Sequence, residues 1–151
     1  MRPLGLAVVV LALACSKQEK APPAEPAAPP PAPAPTFALA DAAGKWTYVA
    51  KSATGDTVLV KAELTATADP AGWSLVFPGR PAIPLKVTVS GDSVITKAGP
   101  YPSVLRKGVQ VTTDGVLRMT NGMLVGTSTA HYGVKTADSV RHLIVEATRK
   151  P

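Results

Sequence analysis

The side chains suited to chemistry are few in this chain, and their spacing is unpromising. His131 and His142 are the only two histidines. A metal site needs at least a third ligand, and no acidic cluster in the sequence supplies one. Both imidazoles therefore read as solvent-facing. Ser103, His131 and Asp138 have the residue types of a nucleophile, base and acid, but no nucleophile elbow surrounds the serine. No glycine-rich phosphate loop precedes a helix, and no paired carboxylates stand ready for acid–base work. The expectation is a protein with no catalytic residue, no metal and no cofactor, and so not an enzyme.

Binding is the chemistry that remains. The least regular segment is Gly99–Gly108, GPYPSVLRKG, which offers Tyr101, Leu105, Arg106 and Lys107 as a candidate loop for a ligand or partner. The same segment also fits a lid that plugs one end of the domain with Val104 and Leu105. A second candidate is Pro78–Pro84, stiffened by proline and carrying Arg80. The net charge is +6 and the sequence pI about 9.7, yet the basic residues are scattered and form no cluster of five or more. That pattern argues for a solvated polar face and against nucleic acid. Attraction to anionic lipid or a cell-wall polymer stays open.

The single cysteine, Cys15, lies where the apolar stretch Leu4–Ala14 gives way to Ser-Lys-Gln-Glu-Lys. Eleven helical residues cover only ~16 Å, well short of a ~30 Å hydrocarbon core. Residues 1–14, with Arg2 ahead of the apolar run, therefore read as a signal peptide. Ala12-Leu13-Ala14-Cys15 resembles the lipobox of bacterial lipoproteins. The resemblance implies cleavage before Cys15, a diacylglycerol on its thiol and an acyl chain such as palmitate on the new amine. Ala12 departs from the branched residue that the family prefers there. Ala12-Leu13-Ala14 also fits ordinary secretory cleavage, which would leave an unpaired thiol at the N-terminus. Ser16, where an aspartate would mark inner-membrane retention, points to the outer membrane facing the periplasm.

Residues 15–36 then form a tether of Ala, Pro, Lys and Glu. Half of the chain's 16 prolines fall between Ala21 and Thr36. Proline removes the amide donor and fixes φ, so neither a helix nor a sheet interior is open to it. A polyproline-like spacer of this length reaches up to ~60 Å.

Residues 37–151 must carry the domain, and they alternate. In Thr57–Thr67 the spacing puts Val58, Val60, Ala62, Leu64 and Ala66 on one face. Asp69-Pro70-Ala71-Gly72 has the residues of a type I turn. Trp73, Leu75 and Phe77 follow in phase, then Leu85, Val87 and Val89, with Gly91-Asp92 turning the chain into Ser93–Ala98. A three-residue loop, Thr113-Asp114-Gly115 with Gly115 left-handed, pairs Val111 with Leu117 and keeps the apolar residues together. Asn121-Gly122 is a two-residue hairpin that sets Leu124 opposite Met119 and Gly126 opposite Leu117. Continued without a bulge, that phase sends Tyr132 inward and His131 outward. Leu143, Val145 and Ala147 share a face of the last strand. The result is an all-β, antiparallel up-and-down meander of about eight or nine strands, closing into a small barrel. A two-sheet β-sandwich is the alternative.

Gly44-Lys45-Trp46, at the head of the first strand, resembles the Gly-x-Trp opening of lipocalins and related small barrels. The resemblance implies that Trp46 plugs one end and that an arginine of the last strand, Arg149 or Arg141, covers it. The domain is short for a lipocalin and has neither the disulfides nor the closing helix of that family. AGPYPSVLRKGVQVTT and DSVRHLIVEATR are also similar to segments of uncharacterised small bacterial lipoproteins. Two functions follow as expectations for a membrane-anchored envelope protein. The first is a lipocalin-like barrel that holds a small apolar ligand among Trp46, Trp73, Phe77 and Tyr132. The alternative is a filled barrel that docks an envelope protein or the cell wall. A ligand-binding interior needs ~300 Å³ or more.

Overall fold

The computed structural model describes residues 36–151. The predicted signal peptide, Cys15 and the tether up to residue 35 lie outside the described residues. After a single helical turn, α1 (Leu39–Ala42), eight antiparallel strands follow in sequence order: β1 (Gly44–Ser52), β2 (Val58–Ala66), β3 (Ser74–Val76), β4 (Ile83–Ser90), β5 (Ser93–Pro102), β6 (Gln110–Thr120), β7 (Met123–Tyr132) and β8 (Val140–Arg149). Each pairs with the next, and β8 pairs with β1 to close a barrel, from Trp46–Arg149 to Ser52–Leu143. The up-and-down all-β meander expected from the alternation is the fold, compatible with a lipocalin-like barrel.

Period-two patterning selects the interior. Trp46 and Ala50 from β1, Val60, Ala62, Leu64 and Ala66 from β2, and Leu143, Val145 and Ala147 from β8 are buried. Asn121 (φ 50°) and Gly122 (φ 76°) are both left-handed, as a type I′ hairpin requires. They fix the expected pairs Met119–Leu124 and Leu117–Gly126. Downstream, Tyr132 is buried and His131 faces out. At the turn predicted for Asp69–Gly72, Asp69 accepts a hydrogen bond from the Ala71 amide (2.8 Å), and Pro70–Gly72 forms a short 3-10 turn.

Three sequence-based expectations are corrected. Thr113-Asp114-Gly115 is not a loop but the middle of β6, with Gly115 extended between Thr96 of β5 and Ser128 of β7. Asp114 bonds outward to Lys97 (3.2 Å) and His131 (3.3 Å), while Gly115 leaves room for the Thr96 hydroxyl. A turn signal thus serves a cross-strand ion pair and a close approach, and the strands number eight. Val111 and Leu117 share a face all the same, because six residues along one strand preserve parity. Second, Val58 is 43% exposed. A register shift at Ala50/Lys51 sets it opposite Lys51 and turns it outward. Third, Gly99–Pro102 belongs to β5, where Tyr101 pairs with Val111, so the connection shrinks to residues 103–109.

The wall is uneven. β3 meets β2 only at Glu63–Val76, Leu64–Leu75 and Thr65–Ser74, and meets β4 only at Ser74–Pro84 and Leu75–Ile83. Past Val76 the chain leaves the sheet, and residues 77–82 form an irregular connection to β4.

Candidate functional site

The two ends of the barrel are closed differently. At the end where β1 begins, Trp46 is fully buried, and its indole N–H donates to the Ala42 carbonyl (2.8 Å). The Arg149 guanidinium lies over the Trp46 ring, 4.4 Å from its centroid, and donates to the Ala43 and Asp41 carbonyls. Phe37, also buried, joins this plug through its amide to the Gly91 carbonyl (2.7 Å). Of the two arginines that the Gly-Lys-Trp resemblance offered, Arg149 is the one at the tryptophan. Arg141 pairs with Ala130 toward the opposite end. Trp73 is buried at the Trp46 end as well, its indole donating to the Thr67 carbonyl.

Phe77 and Tyr132 are buried at the other end, beside Tyr101. Phe77 and Tyr101 sit with ring centroids 5.8 Å apart. The four interior aromatics predicted from sequence are therefore split between two plugs and do not line one chamber. Between the plugs lies a cavity of about 20 Å³, lined by Tyr48, Leu64, Leu117, Thr96, Thr113 and Ser128 among others. That is room for roughly one water molecule. Burial pushes the Tyr48 hydroxyl far above the ordinary phenol range; the nearby Tyr101 adds to this and a hydrogen bond with Ser128 opposes it. Burial also raises Tyr101, against a hydrogen bond with Thr113. Both phenols stay protonated at neutral pH, so neither offers a phenolate nucleophile.

The candidate loop is a fastened lid. The Ser103 hydroxyl accepts hydrogen bonds from the Leu105 and Arg106 amides (3.1 and 3.0 Å), which builds a tight turn. Arg106 lies 4.9 Å above the Tyr132 ring and forms an ion pair with Asp138 in the β7–β8 connection. Leu105 packs against the core, and Lys107 alone of the four candidates is exposed. Tyr101, expected in the loop, is inside the barrel. Arg80 reaches across from the β3–β4 connection to donate to the carbonyls of Pro102 (2.6 Å) and Ser103 (3.3 Å). The sequence marked Arg80 only as part of a basic, proline-stiffened segment. Asp138 has in the sequence only the role of an acid in a set that lacks a nucleophile elbow. The structure gives each member of that set a different partner: Ser103 the backbone, His131 Asp114, and Asp138 Arg106. Among the described residues, no three metal-ligating side chains come together.

A hydrogen bond from Thr136 is the main influence that holds the Asp138 carboxyl below the usual aspartate range, with Arg106 adding to it. A depressed carboxylate stabilises the folded state above its unfolded value and loses that contribution as pH falls through the folded one. The Arg106–Asp138 clip is therefore expected to hold at neutral pH and to weaken only in acid. In a carboxyl NMR titration Asp138 should show a midpoint below that of a free aspartate, and Thr136→Val should raise it. An unchanged midpoint in the variant would remove the hydroxyl from this account. Comparison with known proteins finds no matching family model, no matching curated protein and no matching solved structure.

Proposed function

We propose that this chain is a lipid-anchored protein of the bacterial cell envelope, in the outer membrane facing the periplasm, that works as a non-enzymatic docking module. In this reading Cys15 carries the lipid and residues 16–36 form the stalk. The filled, lipocalin-like barrel presents a surface to an envelope protein or to the cell wall. The carrying observation is the interior: about 20 Å³ of cavity against the ~300 Å³ that a ligand chamber needs. The fastened loops agree with it. Arg80 and Arg106 tie three connections at the Tyr132 end into one surface, opposite the end where Phe37 leads into β1. Pre-ordered loops lose little entropy on meeting a partner.

A small amphipathic ligand keeps one specific support outside the barrel's interior. A cleft of about 460 Å³ opens on the wall beside Ile83, Pro84 and Pro100, flanked by Lys86 and Lys97. Native mass spectrometry of protein purified from its own membrane separates the two readings. The docking reading expects a co-purifying protein or glycan fragment; a small lipid-like mass on the monomer would replace it with the ligand reading. The anchor is tested alone. Several acyl chains at ~0.8 kcal/mol per buried methylene hold a protein firmly, so Cys15→Ser is expected to move it from the membrane to the soluble fraction. A variant still fractionating with membranes would refute lipidation.

A further inference from the structure

A barrel with every strand fully paired has no edge to offer, but this one has a gap in its wall. β2 pairs with β1 from Gly44–Ala66 to Lys51–Val58, with Leu59 left over by the register shift at Ala50/Lys51. On its other side it meets β3 only at Glu63, Leu64 and Thr65. The stretch Val58–Ala62 is therefore extended backbone with one side unpaired. From Val60 to Ala62 alternate residues direct an N–H and a C=O away from β1, and the bulge at Leu59 interrupts that alternation before Val58. Residues 77–82 pass opposite, and their backbone hydrogen bond, Arg80 N–H to Phe77 carbonyl (3.1 Å), stays within the connection. Where the two runs approach lies a cleft of about 560 Å³, lined by Lys61, Ala62 and Glu63 of β2, by Val76–Arg80, and by Thr47 and Lys150.

The free edges that face Val58–Ala62 at this end of the gap are blocked. β4 starts with Pro84 in its second position, and its pairing with β5 ends at Leu85–Ala98. Beyond that point β5 presents Pro100 and Pro102, which have no amide donor, and Arg80 occupies the carbonyls of Pro102 and Ser103. Val58–Ala62 contains no proline. Exposed edges are ordinarily blunted, and here one side of the gap is blunted while the other is left able to pair.

Charge then selects the occupant. Glu63 is bonded by both Lys45 (3.2 Å) and Lys150, which leaves the cleft in cationic excess. Lys61 has no carboxylate partner among the described residues. Arg80 is held by carbonyls, which satisfy its donors without cancelling its charge. A second copy docking antiparallel by the same edge would bring Lys61 toward its own counterpart, which disfavours self-pairing.

We infer that the Val58–Ala62 edge of β2 accepts an extended, acidic peptide segment of a partner protein as an added strand. Its backbone would complete the ladder, and its carboxylates would meet Lys61 and Arg80. This assignment deepens the docking reading and rests on it.

The test uses the mature protein and three synthetic heptapeptides with blocked ends. One alternates valine with glutamate, one replaces the glutamates with lysine, and one is the acidic peptide N-methylated at alternate amides. The acidic peptide is expected to bind at least tenfold more tightly than either of the others and to slow amide exchange in Val58–Ala62. Lys61→Glu, a change at an exposed side chain, should weaken it by at least tenfold. Equal binding of the N-methylated peptide, no binding at all, or no slowing at Val58–Ala62 would each overturn the inference. Protection of residues 103–109 in place of the edge would also overturn it, while leaving the docking reading standing.

Discussion

Trp46→Ala is expected to lower the unfolding free energy by about 4 kcal/mol, within the range for truncating a fully buried tryptophan. Three losses combine at this site. The indole leaves a void where no solvent reached. The Ala42 carbonyl loses its N–H donor (2.8 Å). Arg149 loses the ring 4.4 Å beneath it, although its bonds to Ala43 and Asp41 remain available. A domain of this size is stabilised by about 5–15 kcal/mol in total, so the variant should unfold at a much lower urea midpoint. Arg149→Met keeps an apolar stem over the ring but removes the charge and its donors, and about 1–2 kcal/mol is expected there. Circular dichroism in urea measures both. Trp46→Ala within about 1 kcal/mol of the parent would show that the plug is not what holds this end closed.

The plug also shows how far the sequence could be read. Gly44-Lys45-Trp46 marked the tryptophan, but two arginines eight residues apart on β8 were equally eligible as its cover. The choice is made by the β1–β8 register, which sets Trp46 opposite Arg149. That pairing joins residues about a hundred positions apart, and no local pattern encodes it. Hairpins behaved differently. Asn121-Gly122 fixed its register locally, and the phase carried through correctly to Tyr132 and His131. Asp114-Gly115 carries the same kind of signal but is flanked on both sides by strands that pair with it, so the sheet overrides the turn. Tyr101 was misplaced because two prolines and a glycine around it read as loop. β5 accommodates them through an irregularity between Ala98 and Tyr101. The fold was legible because period two survives such errors. The cleft beside β2 was not, because it depends on where β3 stops.

The inward glycines argue the same point energetically, and Gly126→Ala is expected to cost about 3 kcal/mol or more, at the upper end for overpacking. A Cβ at this position would lie 1.9 Å from the Val116 carbonyl oxygen, 2.9 Å from its carbon and 3.0 Å from the Leu117 Cα. All three are backbone atoms of β6, which pairs with β7 from Val111–Tyr132 to Thr120–Met123 and cannot shift alone. Gly115 is the control. Its Cβ would meet the Thr96 hydroxyl at 2.5 Å, with the nearest backbone atom 3.6 Å away. A side chain can turn aside, so Gly115→Ala should cost less, and Thr96→Ala in the same chain should recover part of the loss as a measurable coupling. Urea denaturation of the four variants decides the matter. If Gly126→Ala proved no worse than Gly115→Ala, the close approach of β6 and β7 would have slack. If Thr96→Ala recovered nothing, the clash at Gly115 would lie in the strand and not in the threonine.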